Sequence, residues 1–312
     1  MKRFLLVFMA AMFTLMFFSG CSDDDSDDST VASEKTATYA DNTPNGFQNT
    51  VQTVQIDDKV TLHAFIASKD DGGNATHIIE TSDSLVLIDA QNLKKNAQEY
   101  RQYADSLNKQ VARLILTHAH PDHWRGLENF KDVPVYAFQE ISKWLVENGE
   151  ASVANAVKNI GDQAPSEVFI PQYDLTEGTF ELDGVTFKVE KVFNAEADVQ
   201  AVVSLPNHHV IILSDLLYNE VHAFTGGNQF DNWIALLNAY KAEGYDLYLT
   251  GHGYSGNVTI LDNMVQYLTD SLTLIKQPGM TSSEFITQLQ KKYPKWEGIL
   301  IKFSAAMLLP EN

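Results

Sequence analysis

Residues Leu114 to Gly126 read LILTHAHPDHWRG. The aliphatic and β-branched stretch Val111 to Thr117 has the composition of a buried strand, and it runs directly into His118-x-His120-x-Asp122-His123. Along extended backbone alternate side chains share a face, so His118 and His120 can address one ion. Pro121 then turns the chain toward a helix starting near Trp124, which redirects Asp122 and His123 to a second point close by. A lone histidine at a strand end is usually structural. Four imidazole and carboxylate groups within six residues are not explained by packing, because burying such groups unpaired is costly. They are the ligand types that Zn²⁺ and similar cations take. The chemistry therefore concentrates where this buried strand ends.

The surrounding pattern gives an α/β class. Val60 to Ser68 and Ala75 to Ala90 read as strands, the second stretch broken by a tight Asp-Ser turn, and Asn92 to Leu107 as a polar helix. Further strands are expected over Thr186 to Phe193, Gln200 to Leu205, His209 to Leu213 and Asp246 to Thr250. Trp233, Leu236, Leu237 and Tyr240 stand at helical spacing. Two C-terminal helices remain, the second opening on Thr281-Ser-Ser-Glu284, a capping-box pattern. No internal repeat appears, and residues 50–312 are expected to form a single domain with helices covering sheet faces.

The N-terminus reads as a processing signal. Lys2 and Arg3 precede 17 uncharged residues, Phe4 to Gly20, and then Ser19-Gly20-Cys21. A spanning helix needs about 20 apolar residues, so a removable signal over residues 1–20 is the better fit. The arrangement resembles the lipobox of bacterial lipoproteins, in which the cysteine becomes the acylated first residue, although Phe18 stands where leucine is usual. The chain would then be exported and lipid-anchored to the cell envelope. Residues 21–49 are rich in acid, Ser and Thr, and are expected to be a flexible tether. Cys21 is the only cysteine, which rules out an internal disulfide. A formal net charge of −19 argues against a nucleic-acid partner, since phosphate binding needs clustered Lys and Arg. The partners expected are a membrane, through the anchor, and a small-molecule substrate.

His118-x-His120-x-Asp122-His123 behind a hydrophobic strand resembles the signature of the metallo-β-lactamase superfamily, and the order of later segments is similar from Val51 to Ser255. The resemblance implies an αββα sandwich with two metal ions at the edge between two βα halves. It implies three more ligands: Glu196, at a position where the common pattern has histidine; Asp215 in IILSDLLYN, as a bridging carboxylate; and His252 in LYLTGHG. Alkylsulfatase-like members carry glutamate at the first of these, and a hydrolase-like subgroup pairs it with an Asn-x-Val-His segment like Asn219-Glu-Val-His222. The implied cofactors are two divalent ions, zinc first, with Mn²⁺ or Fe²⁺ tolerated by the extra carboxylate. The implied chemistry is hydrolysis by a hydroxide held between them, with Asp122 as the catalytic residue that orients it and carries its proton to the leaving group.

The expected substrate is a small ester, lactone, thioester or amide. The alternatives are a sulfatase or phosphoesterase, and a non-catalytic metal-binding lipoprotein. An oxygen-reducing di-iron centre is disfavoured because that branch resembles His-x-Glu-x-Asp and His120 holds the glutamate's place; a cysteine-liganded class is excluded. Trp124, Arg125 and His222 are candidates for the substrate pocket, each against a structural role, a surface salt bridge being the commoner fate for Arg125. Asp89, closing the strand LVLID, is expected to support a ligand histidine. His63, His77, His208 and His209 read as structural or exposed, with His77 the one that a neighbouring strand could bring near the ions.

Overall fold

The structure is a computed structural model, and it describes residues 39–310. The processing signal and most of the expected tether lie outside these residues. In chain order the strands and helices are β1 (Ala40–Asp41), β2 (Thr50–Gln55), β3 (Thr61–Ile66), β4 (Ala75–Glu80), β5 (Ser84–Ile88), α1 (Lys94–Ser106), β6 (Gln110–Ile115), α2 (Pro121–Trp124), β7 (Val135–Ala137), α3 (Gln139–Ile160), β8 (Tyr173–Asp174), β9 (Gly178–Leu182), β10 (Val185–Phe193), β11 (Val199–Leu205), β12 (Val210–Tyr218), α4 (Phe230–Glu243), β13 (Leu247–His252), α5 (Val258–Ile275), α6 (Ser282–Lys292) and α7 (Leu300–Leu308).

Strands β1 to β8 form one sheet in sequential order, and a second runs β13-β12-β11-β10-β9. Two-fold alternation along the second sheet shows why it is the inner layer. Val203, Leu205, Ile212, Leu247 and Leu249 face a core shared with Val86, Ile88 and Ile115 of the first sheet. Their neighbours Val202, Ile211, Leu213 and Tyr248 face a separate core made with α4 to α7. On the far side of the first sheet Tyr100 of α1 and Ile141 and Leu145 of α3 close the layer. The result is the expected αββα sandwich. β12 is buried along its whole length, which is why it reads as a continuous apolar run rather than an alternating one.

Two expectations need correction. Residues 39–49 are not part of a free tether: β1 pairs with β2 at Ala40–Thr53 and Asp41–Gln52, and Asn49 is buried with its amide donating to Asn96 Oδ1 at 3.1 Å and to Glu99 Oε2 at 2.6 Å. Tyr39 and Phe47 supply the apolar contacts that offset the ordering entropy of this otherwise polar segment. After α4 and β13 there are three helices among the described residues, not two. The capping box of Thr281 and Glu284 forms on α6 as expected, but Trp296 to Gly298 separates α6 from α7. Among the described residues no helix is long and apolar enough to cross a membrane.

Candidate metal centre

The two sheets meet at a common edge where β6, β11, β12 and β13 end or begin, and each contributes to one cluster. β6 delivers His118 just past its end, with His118 Nδ1 held 2.9 Å from the Thr117 hydroxyl. α2, begun by Pro121, carries Asp122 and His123. The β10–β11 loop, entered through Asn194 at positive φ, carries Glu196; Asn232 fixes that loop by donating to the carbonyls of Phe193 and Asn194 at 2.8 Å each. β12 breaks register with β13 on either side of Ser214, whose φ is 45°, and this bulge presents Asp215. His252 closes β13 and its Nδ1 donates to Gly72 O at 2.8 Å.

All seven predicted ligand residues come together, in two groups of four that share Asp215. One is His118, His120, Glu196 and Asp215, the other Asp122, His123, Asp215 and His252; within each group the ligand atoms lie within 4.8 Å of one another. Asp215 reaches His118 Nε2 at 3.7 Å and His252 Nε2 at 3.4 Å through Oδ2, and His123 Nε2 at 3.1 Å through Oδ1. Glu196 places Oε1 at 3.1 Å from His120 Nδ1 and Oε2 at 3.6 Å from His118 Nε2. Asp122 Oδ2 stands 3.1 Å from His252 Nε2.

The residues fit a pair of cations. His118 Nε2, His123 Nε2, His252 Nε2, Glu196 Oε2 and Asp215 Oδ1 are buried with no hydrogen-bond partner, and all converge on the cluster. Three carboxylates, two of them buried, need positive charge close by. The protein's own histidines show that demand. Burial opposes protonation of His123, yet Asp215, Asp89 and Asp122 together hold its pKa well above the ordinary value. His252 is likewise pushed up to about 10, burial being outweighed by Asp215 and Asp122. Burial, with Asp215 beside it, lifts Glu196 to about 7 although His120 pulls it down.

A supporting layer holds this arrangement. Asp89, at φ 61°, accepts from His123 Nδ1 at 2.8 Å, from the Thr117 amide at 2.8 Å and from the Ser214 hydroxyl at 3.2 Å, which fits its expected supporting role. Tyr218 is a residue of the site that motif and spacing alone do not single out. Its hydroxyl donates to Asp215 Oδ2 at 2.7 Å and lies 3.3 Å from Glu196 Oε1, and its ring stacks on His252 with centroids 4.7 Å apart. A signal for it exists, since Tyr218 follows Asp215 by three residues on a bulged strand end.

The comparisons with known proteins agree with this geometry. The family model described as the metallo-beta-lactamase superfamily matches residues 70–252, more than half of the chain and every one of the seven ligand positions. The chain belongs to the metallo-beta-lactamase superfamily. Among solved structures it resembles a metallo-beta-lactamase from Pontibacter korlensis, at TM-score 0.56 and 20% identity over 70% of this chain and 99% of that one. It also resembles the metallo-beta-lactamase FIM-1 from Pseudomonas aeruginosa in its mono-zinc form, at TM-score 0.53 and 16% identity, covering 71% and 96%. Identities this low show the fold alone. No curated protein sequence is significantly similar to the chain.

In this member of the superfamily a cleft of about 690 Å³ opens beside the cluster, lined by His120, Asp122, Arg125, Glu196, Asp215, Tyr218 and His252 together with parts of α3 and α7. Arg125 is thus where the sequence suggests, but among the described residues it lacks the salt bridge that is the commoner fate of such a residue. Trp124 and His222 are not in the cleft. Trp124 faces the core behind α2 and donates to Ala119 O at 3.1 Å. His222 is buried among Tyr267 and Trp296, its Nδ1 3.2 Å from the Tyr267 hydroxyl, because the loop after β12 pairs at Val221 with Glu297. His77 is not a ligand either: its Nε2 donates to Thr250 O at 2.7 Å and ties β4 to β13. His63 pairs with Glu80 and Tyr103, and His208 with Asp57.

Proposed function

We propose that the chain is a dinuclear metal-dependent hydrolase, zinc being the first candidate, acting on a small ester, lactone, thioester or amide. The observation that carries this reading is the sharing of Asp215 between two four-residue candidate ligand groups, in which five inward atoms make no hydrogen bond. His118, His120 and Glu196 would hold one ion, Asp122, His123 and His252 the other, and Asp215 both. Four imidazoles and three carboxylates suit zinc, the metal present in the mono-zinc form of FIM-1. A metal pair of this kind supplies Lewis acidity and a water ionised near neutral pH.

The chain's own residues supply the rest. Asp122 is the ligand carboxylate whose side chain is most open to the cleft, and His123 and His252, acting against burial, hold its pKa below the ordinary carboxylate range. It is therefore ionised at neutral pH and can take a proton from the attacking water and return it to the leaving group. Tyr218 orients Asp215 and Glu196, and Asp89 fixes the ring of His123. Glu196 in place of histidine marks the Glu-bearing subgroup that the sequence resembles.

Metal-replete protein should hydrolyse a neutral chromogenic ester such as 4-nitrophenyl acetate. Asp122→Asn should lower kcat by about 10²–10⁴-fold. Turnover that survives full chelation would contradict the proposal. The basic start, apolar run and Cys21 further support a lipid-anchored, exported protein, with residues 21–38 as spacer. Cys21→Ser should then release the protein from membranes.

A further inference from the structure

The cleft contains one Lys or Arg among the described residues that line it, and that residue is Arg125. Its surroundings are unusual for this chain, which carries 41 acidic against 22 basic residues. Arg101 is paired with Asp105 and Asp132, and Arg113 lies over the rings of Tyr136 and Phe180. Arg125 has neither kind of partner among the described residues. Its Nη1 donates to Asn92 Oδ1 at 3.1 Å and its Nη2 to the Ser152 hydroxyl at 3.4 Å, both neutral, while Nε is buried with no acceptor. A guanidinium offers five N–H donors in a fixed fork, so this one is positioned by two neutral groups and keeps donors free. A half-buried cation so held is partly desolvated, and the charge of Asp122, which makes no salt bridge with it, offsets that burial only in part.

The opposite character lines the rest of the opening. Leu93, Ile160, Phe224, Leu300, Ile299 and Phe303 form apolar stretches of the cleft wall, and Ile299 and Phe303 are 47% and 52% exposed. The remaining charge is acidic. Asp71 is paired with Lys95 at 2.9 Å, and Asp70 lies at the rim. Such a rim opposes a polyanion more than a single carboxylate.

We propose that the substrate is an amphiphilic monocarboxylate, its carboxylate held by Arg125 and its apolar part lying on the Phe224–Phe303 side of the cleft. Arg125 is then the specificity-determining residue of the site. The inference rests on the hydrolase reading only in taking this cleft as the substrate's. A forked guanidinium matches a carboxylate with two parallel hydrogen bonds, which a lysine ammonium cannot reproduce.

The test is a binding measurement that needs no turnover. Calorimetry on the metal-loaded full chain compares 4-phenylbutyrate with its neutral isostere, 4-phenylbutanamide. The wild-type chain should prefer the carboxylate, and Arg125→Gln should reduce that preference about tenfold or more. Arg125→Lys, which keeps the charge and loses the fork, should fall between the two; it also separates loss of recognition from loss of fold should the glutamine variant melt early. A preference that is absent in the wild type, or unchanged in both variants, overturns the inference, the second result showing that the metals alone take the carboxylate. Hydrolysis of 4-nitrophenyl acetate by the wild type is scored separately. Arg125-dependent binding without any hydrolysis would sink the hydrolase reading alone, and hydrolysis without that dependence would sink only the carboxylate.

Discussion

Asp89 shows how much of the centre depends on a residue that meets no cation. Its carboxylate accepts from His123, Thr117 and Ser214 at once, which fixes the ring orientation and tautomer that leave His123 Nε2 aimed inward. Asp89→Asn should weaken metal affinity about 10–100-fold, read by competition with a chelator, while the fold is retained. His77 makes a different prediction. Burial lowers its pKa from 6.5 to about 4, so the unfolded chain binds the proton first as pH falls. Stability should therefore be lost between pH 6.5 and 4, by about 3 kcal/mol from this residue, and no further below that window. His77→Gln should flatten that part of a urea-midpoint curve against pH. The ligands on the His-x-His-x-Asp-His run are legible in the sequence because strand periodicity and Pro121 fix their directions. Trp124 and His222 are not, because their orientation depends on what packs against them: the core behind α2 for Trp124, and the Tyr267–Trp296 pair for His222.

At the scale of elements, the bulge in β12 and the close approach of β13 place Asp215 in both candidate ligand groups. A Cβ on Gly251 would stand 1.8 Å from Asp215 Oδ1 and 2.7 Å from its amide nitrogen. Gly251→Ala must therefore displace the bridging carboxylate. It should cost about 1–3 kcal/mol in denaturant unfolding and lower the number of ions bound, measured on the same preparation. Inner strands are readable as unbroken apolar runs, β12 above all. α3 is not, because over 22 residues it buries only Ile141, Leu145, Gly149 and Ala156, too few to impose a visible period, though its end lines the cleft. α7 escapes separation from the preceding helix because Phe303 and Met307 stay exposed, which blurs its apolar face.

Over the whole molecule, the seven candidate ligands come from both sheets. Cation binding would thus clamp β6 and α2 of one half to the β10–β11 loop, β12 and β13 of the other. An ion at a thousand times its dissociation constant adds about 4 kcal/mol to stability. Chelation should accordingly lower the melting temperature, and readdition of Zn²⁺ should restore it. The α/β class is visible in the chain from strand composition, and His118, His120, Asp122 and His123 from motif spacing, whereas the sandwich, Glu196, Asp215 and His252 are implied by the family resemblance. The docking of residues 39–49 is not, since so polar a segment is held by a few apolar contacts and the Asn49–Glu99 bond that only the tertiary fold provides.

A two-cation centre completed by Glu196 is tested most directly by elemental analysis of metal-replete protein. Two divalent ions per chain are expected, because Asp215 belongs to two complete groups, with a fall to about one in Glu196→Ala, where the His118 group loses a ligand and the His252 group keeps all of its own. One ion or fewer in the wild-type chain, or two still bound in Glu196→Ala, would contradict it.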